Sequence, residues 1–489
     1  MSLESTALNI SASTPPYRAS HPPANSARLP ISAKLFLLLI AFVVFAIAIT
    51  TRGPKWLNDF DQAFYITIAH DLNRHGVFSN GRLDAVDSTV NTPPPGMFFG
   101  PLYPALISAV MKLDSRFAES INCAVENNEG KRPGSECKIN VLPMHIIHAF
   151  MLALGIGSIG WAAFLIFPDR RVFWSAGVLA MGALLAEAEL FSFLMTESLS
   201  FGLYGPASLG LLIGMKTGSR RAFLISGLLM GLLCLARPSF LGLVPLFAIV
   251  IVLGRFLRTG PGGISWPGRS VAFVAGAALV FTPWLVRNFV QVGKFALTEE
   301  YGSVALIERF AFNDMTGREY ALAFPYCVPT VGGAIVDRLW GSSSVARFEW
   351  NTDNSFFNVG RGRRLQLVET HGRLDPVIGS VLASEMAEKG LRHLAVSLPL
   401  AWCGMWVGGP LALLLVPLFW WALVRAETEQ RRLLLLYSLG GFAMLGLHGL
   451  IANHYTRYNL ILVAPFSVAA AWMLISFLPV PFGRRPVTP

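Results

Sequence analysis

Charge is what this chain has least of. Asp, Glu, Lys and Arg make up 14% of its 489 residues, while hydrophobic side chains make up 53%. A soluble domain carries about 25% charged residues, so the composition excludes an ordinary water-soluble protein and favours one that crosses a membrane many times. The mean hydropathy of +0.53 agrees. Cysteine is also scarce: the five present are too few for a disulfide-built scaffold. No internal repeat is apparent, and no His, Cys, Asp or Glu cluster falls at a recognised metal-ligand spacing.

What charge there is leans basic, at +10. That excess alone would suit nucleic acid, but its distribution points elsewhere. Ten apolar stretches approach the roughly 20 residues needed to span a bilayer: 33–50, 143–167, 172–190, 192–215, 221–236, 238–256, 270–287, 402–424, 432–452 and 459–478. Ten crossings place both termini on one side. With the N-terminal arm, the tail and the short Arg-bearing connections assigned inside, the inner segments hold 16 Lys/Arg against 4 Asp/Glu. The two long outer loops, 52–142 and 288–394, hold 20 against 22. This is the asymmetry of a multi-pass protein with a positive inner face, so no nucleic-acid partner is expected.

The expected architecture is an all-α polytopic membrane protein with about ten transmembrane helices and two large periplasmic loops carrying interfacial helices. A cytoplasmic arm, 1–32, rich in Ser, Pro and Ala, precedes an N-terminal bundle, 33–287, which includes the first loop. The second loop, 288–394, leads to closing helices over 395–480 and a cytoplasmic tail, 481–489. In the first loop, the run from Phe98 to Leu113 reads as an interfacial or re-entrant helix, because counting it as a span would invert the charge asymmetry. Asp375–Leu394 reads as an amphipathic helix. Cys123 and Cys137 either pair or remain two free thiols; Cys327 has no evident partner, and Cys403 lies near the end of a span.

The organising stretch is NDFDQAFYITIAHDLNRHG, Asn58 to Gly76. Asn58 or Asp59 can cap a helix there and Gly76 can stop it. Phe60, Phe64, Ile68 and Leu72 form an apolar stripe suited to a membrane surface, and Tyr65 follows Asp61 by one turn. A carboxylate near a helix N-terminus ionises more readily, which makes Asp61 a candidate general base. The outer ends of the spans add Glu197, Arg237, Arg287, His454, Arg457 and Tyr458. An ionisable group in a membrane region is a functional candidate. The plainer reading is that Arg at a helix end snorkels, His454 is an interfacial hydrogen-bonding residue, Asp59 is a cap and Asp61 a solvated surface acid. Together, though, carboxylates and arginines at one face suit a lipid-linked phosphate: Arg pairs with phosphate bidentately, and a nearby carboxylate can take a proton from an attacking hydroxyl or amine.

The order of the short motifs also resembles a known group. A span is followed by D-x-x-x-Y-x-x-x-A from Asp61, then HGVFS, then PPPG and GPLYP. A T-E near a span, L-x-R-P, P-W-x-x-R-N before a large loop, and R-Y before the last span complete the series. Over residues 33–478 this resembles the GT-C membrane glycosyltransferases of the protein-mannosyltransferase and aminoarabinose-transferase type. The resemblance implies an inverting transfer from a polyprenyl-phosphate sugar donor to a lipid, glycan or protein acceptor at the periplasmic face of the bacterial inner membrane, among membrane lipids. It implies a catalytic role for Asp61, with Asp59 as a stand-in where Gln62 replaces the usual Glu. Phosphate binding falls to Arg237, Arg287 and Arg457, and Tyr65, Glu197, His454 and Tyr458 would line the substrate. Metal dependence varies in the group, so a divalent cofactor stays open. The rival readings are a transporter or flippase of a lipid-linked substrate, and an inactive scaffold of the same fold.

Overall fold

The computed structural model describes Leu38, Leu57, and residues 61–81, 92–126, 137–257, 266–344, 346–349, 352–453 and 455–477. Apart from Leu38, the first expected span lies outside these, as do the N-terminal arm, the tail, Asp59 and His454. Among the described residues the protein is all helical, with no strand. It is a polytopic membrane protein, as its composition requires.

The first loop carries α1 (Gln62–His75), α2 (Leu102–Leu113) and α3 (Ser115–Glu126). Gly76 ends α1 at φ 69°, a left-handed conformation that a glycine adopts without a Cβ penalty. Its start differs from expectation. Asp61 itself occupies the N-cap position and its side chain makes no capping bond, because the carboxylate faces an arginine instead. Part of the α1 stripe packs on protein. Ile68 is fully buried, and the Phe64 ring packs at 5.9 and 5.4 Å from Phe98 and Phe99, at the start of the α2 segment. Contact with protein removes these apolar groups from water as lipid would.

The bundle follows: α4 (Leu142–Ile166), α5 (Arg170–Leu185), the short α6 (Ala188–Ser192), α7 (Glu197–Thr217), α8 (Arg220–Ala236), α9 (Leu243–Leu257) and α10 (Trp266–Val292). Glycines allow close approach. A Cβ on Gly227 would sit 2.0 Å from the carbonyl oxygen of Phe273, and one on Gly276 would sit 2.4 Å from that of Leu224. The backbones of α8 and α10 are therefore nearly in contact, as small residues permit in membranes.

The second loop holds α11 (Tyr301–Phe310), α12 (Gly317–Tyr326), α13 (Gly332–Trp340) and α14 (Phe356–His371). Next come α15 (Asp375–Met405), α16 (Ala412–Arg425), α17 (Thr428–Ile451) and α18 (Val463–Phe477). The expected break between an amphipathic helix ending at Leu394 and a span starting at residue 402 is displaced. Helix continues to Met405, with a local kink at Lys389. The chain then bends by 110° before the 409–425 run. Gly408, at φ 92°, permits the bend, and the Glu187 carboxylate accepts from the backbone N–H groups of Gly408 and Gly409.

Among the described residues five helical runs are long and apolar enough to cross a bilayer: α4, α7, α10, α17 and Thr456–Phe477; the bent 375–425 pair makes a sixth. The stretches expected at 172–190 and 221–236 appear as helices of 16 and 17 residues, and 238–256 as a shorter apolar run, Pro238–Gly254. The 98–113 stretch also gives a short helix, of 12 residues, confined to Leu102–Leu113.

Two disulfides staple the loops. Cys123 pairs with Cys137, and Cys327 pairs with Cys403; the second pairing supplies the partner that the sequence did not reveal. It fixes the end of α12 to the end of α15, where the indole N–H of Trp402 also donates to the Phe324 carbonyl oxygen at 2.8 Å. Peptide mapping without reductant is expected to recover both cross-links and to find Cys234 as a buried free thiol. Replacing Cys327 by Ser is expected to destabilise the second loop by about 2–4 kcal/mol, seen as faster proteolysis between residues 311 and 355. An unchanged digestion rate would mean the bond holds nothing that packing does not.

Candidate functional site

The site is assembled from four separate parts of the chain. Asp61 comes from the N-cap of α1, Glu197 from the first turn of α7, and Arg237 from the residue that ends α8. Arg457 and Tyr458 lie in a 3-10 segment, Thr456–Leu462, that leads into α18. Each sits where a helix begins or ends, so its side chain projects into the space that the helices leave.

Asp61 Oδ2 lies 3.5 Å from Arg457 Nη2, and Arg237 Nη1 lies 3.8 Å from Glu197 Oε1. The Tyr458 ring stands between the two guanidiniums, at 5.2 Å from that of Arg457 and 5.3 Å from that of Arg237. A cation over a ring face gains from the ring quadrupole, more so when water is excluded. Met195 Sδ takes a further contact from Arg457 Nη1 at 3.4 Å. Tyr65 is buried against Phe99 and Tyr103, with ring centroids at 4.8 and 5.2 Å, and hydrogen-bonds to Thr196.

The Asp61 carboxyl is about one-third exposed, yet protein surrounds it closely enough for desolvation to dominate. Burial raises its pKa above the ordinary carboxylate range; Arg457 and Arg237 oppose the shift, while Glu197 adds to it. The Tyr65 hydroxyl is pushed far up, first by burial and then by Asp61 and Glu197, so it remains a neutral donor. Glu197 is 5% exposed, and its Oε2 has no hydrogen-bond partner. A buried acceptor without a donor carries a free-energy cost that a bound ligand can relieve.

Sequence reasoning missed the far wall. Glu308, on α11, is buried beside Arg364 Nε at 3.3 Å and senses Arg361, Asp61 and Asn453. Burial is the largest influence on its carboxyl and raises the pKa, with the two arginines opposing. Tyr301, at the start of α11, packs on Phe98 and Phe99 and feels the charges of Asp61 and Arg237. Nothing in the pattern around Glu308 marks it: its helix, at 10 residues, is too short for an apolar period to set which face turns inward.

Its neighbour Arg309 is fully buried and holds α11 in place. It donates to the carbonyl oxygens of Gly449 and His393, to Asn313 Oδ1 and to Ser397 Oγ. Asn313 in turn donates to Glu385. Burial lowers the Arg309 pKa to about 9, opposed by Glu385; even so the side chain remains cationic at neutral pH. Gln62 is fully buried as well, and its Oε1 accepts from the Leu194 N–H at 3.3 Å. A carboxamide is thus used to tie the first loop to the α6–α7 connection.

Of the residues expected to act, Asp61, Tyr65, Glu197, Arg237, Arg457 and Tyr458 come together. Asp59 and His454 lie outside the described residues. Arg287 is engaged elsewhere: it donates to the carbonyl oxygens of Gly96 (2.5 Å) and Phe78 (3.0 Å) and to Asn288, and lies 4.7 Å over the Trp284 ring. Among the described residues no group of three or more His, Cys, Asp and Glu is placed to hold a metal ion.

No protein-family model matches the chain, and no curated protein does either. Several solved structures are similar in shape, among them the following two. One is ArnT from Cupriavidus metallidurans bound to undecaprenyl phosphate, with a TM-score of 0.49 and 12% identity, covering 92% of this chain and 61% of that one. The other is the archaeal oligosaccharyltransferase AglB from Archaeoglobus fulgidus in complex with an inhibitory peptide and a dolichol-phosphate, at 0.44 and 13%, covering 91% and 51%. The chain spans about half to three-fifths of the length of these two. Such values say nothing of the reaction, which rests on the side chains themselves.

Arg287→Ala is expected to free the Phe78 and Gly96 carbonyls and to destabilise the first loop by about 1–3 kcal/mol, read as earlier protease cleavage between α1 and α2. An unchanged cleavage pattern would show that the guanidinium does not hold the loop.

Proposed function

We propose that this protein is an inverting glycosyltransferase that moves a sugar from a polyprenyl phosphate to a lipid, glycan or protein acceptor. Its site would open on the periplasmic side of the bacterial inner membrane, with both termini cytoplasmic. The observation that carries this reading is the Asp61–Arg457 pair, set beside Arg237 and Tyr458 at one end of the bundle.

The chemistry follows from the charges. The acceptor hydroxyl or amine attacks the anomeric carbon from the face opposite the phosphate. The bond from that carbon to the phosphate oxygen breaks, and the polyprenyl phosphate leaves with the electron pair. Asp61 takes the acceptor's proton. Arg457 and Arg237 hold the phosphate and balance the charge that grows on it as it leaves. A bound phosphate would also draw Arg457 away from Asp61. Losing that cation raises the proton affinity of the carboxylate, so donor binding itself would prepare the base. Tyr458 keeps the two guanidiniums apart and ordered.

Membranes from cells lacking and expressing the protein would be compared for lipid and glycan products by mass spectrometry. A product that requires the wild type is expected to vanish with Asp61→Asn at equal protein level. The pH profile has a definite sign. Asp61 acts when ionised, and burial raises its pKa, so activity should fall as pH drops, with the acid limb above the ordinary carboxylate range near 3.9. Arg457→Gln removes a cation that stabilises the ionised form and should move that limb further upward, besides lowering the rate. Full activity in Asp61→Asn would remove Asp61 as the base.

A further inference from the structure

Two buried acceptor atoms around Asp61 lack donors, one on the side of Glu308 and one on Glu197. Glu308 is held rigidly by Arg309 on one side and by α14 on the other. Gly360 lets α14 approach, since a Cβ there would fall 2.5 Å from the Glu308 carbonyl oxygen. Asn453, 8% exposed, turns its side chain toward Glu308 and Tyr455, and its Oδ1 is buried with no partner. Asn453, Tyr455 and Arg457 occupy alternate positions in the segment between α17 and α18; the first two side chains lie near Glu308 and the third meets Asp61. The unpartnered Oε2 of Glu197 is the second such atom. Cations already stand near the carboxylates: Arg364 by Glu308, Arg237 by Glu197 and Arg457 by Asp61. What the Asn453 Oδ1 and Glu197 Oε2 atoms lack is a donor. A ligand that fits brings O–H or N–H groups to sit beside the anion that the arginines hold.

We propose that Glu308 and Asn453 form a subsite that reads the hydroxyl or amino groups of a sugar placed beside Asp61. Asn453 Oδ1 accepts one donor and the Glu308 carboxylate a neighbouring one, so adjacent hydroxyls are gripped together. A sugar lacking one of them leaves a buried acceptor unmade, the arrangement that discriminates most strongly between analogues. This subsite rests on the glycosyltransferase reading of the site. The same chemistry could come from the donor's sugar or from a sugar acceptor, and the two are separable.

Purified protein in nanodiscs would be titrated with bare undecaprenyl phosphate, with the same lipid carrying glucose, galactose, mannose or N-acetylglucosamine, and with the free methyl glycosides. Wild type is expected to bind at least one glycosylated lipid or methyl glycoside with a contribution of about tenfold from the sugar. Asn453→Leu and Glu308→Gln are expected to abolish that contribution. Their melting temperature and their affinity for the bare lipid serve as controls for folding. Loss confined to the glycosylated lipids assigns the subsite to the donor, and loss confined to the methyl glycosides assigns it to the acceptor. A sugar contribution that survives in both variants overturns the subsite while leaving the polyprenyl-phosphate reading intact. Failure of wild type to bind any lipid overturns that reading instead, and the subsite falls with it only if the methyl glycosides do not bind either.

Discussion

A carboxylate and a guanidinium that meet across 396 residues of chain hold the working end of this molecule together. Neither Asp61 nor Arg457 could be buried alone, because an unpaired charge out of water costs several kcal/mol. Each makes the other's position tolerable, and the helix ends that carry them follow. The pair is long, at 3.5 Å, and Asp61 remains partly open. That is a weak closure by the standards of buried ion pairs. A contact of this kind can be exchanged for a better anion without dismantling what surrounds it.

Much of the near half of the site could be read from the sequence because span ends announce themselves. Glu197, Arg237, Arg457 and Tyr458 each interrupt an apolar run, and Asp61 opens the first helix after one. Composition fixes which end of a helix a charge occupies, but not which other helix end it faces. Gly76 marked a helix stop because only the left-handed conformation ends the helix there. The opposite end misled: Asn58 and Asp59 looked like the caps, whereas Asp61 stands at the cap position with its side chain turned away.

The second loop was opaque for a different reason. Its helices α11 to α14 have 9 to 16 residues, and buried polar contacts and a disulfide order them alongside a small apolar core around Phe312, Phe348 and Phe356. Arg309 satisfies four acceptors drawn from three other helical segments; no local pattern encodes that choice of partners. The same holds for Cys327 and Cys403, 76 residues apart. Where the sequence showed a span from residue 402, the structure keeps α15 running to Met405 and turns the chain at Gly408. The apolar character was read correctly, but the bend was not.

The glycine contacts between α8 and α10 have an effect at a distance. Arg237 follows the last residue of α8, and Gly227 lies ten positions earlier, about 15 Å along the axis. With no side chain to spare at the crossing, α8 cannot slide or rotate on α10 without collision between backbones. The height of the Arg237 guanidinium is therefore set deep inside the bundle, by an absence of atoms. A single added methyl there would miscalibrate the charge spacing at a mouth it never touches, so remote glycines belong to the alignment of the site as much as the residues that line it.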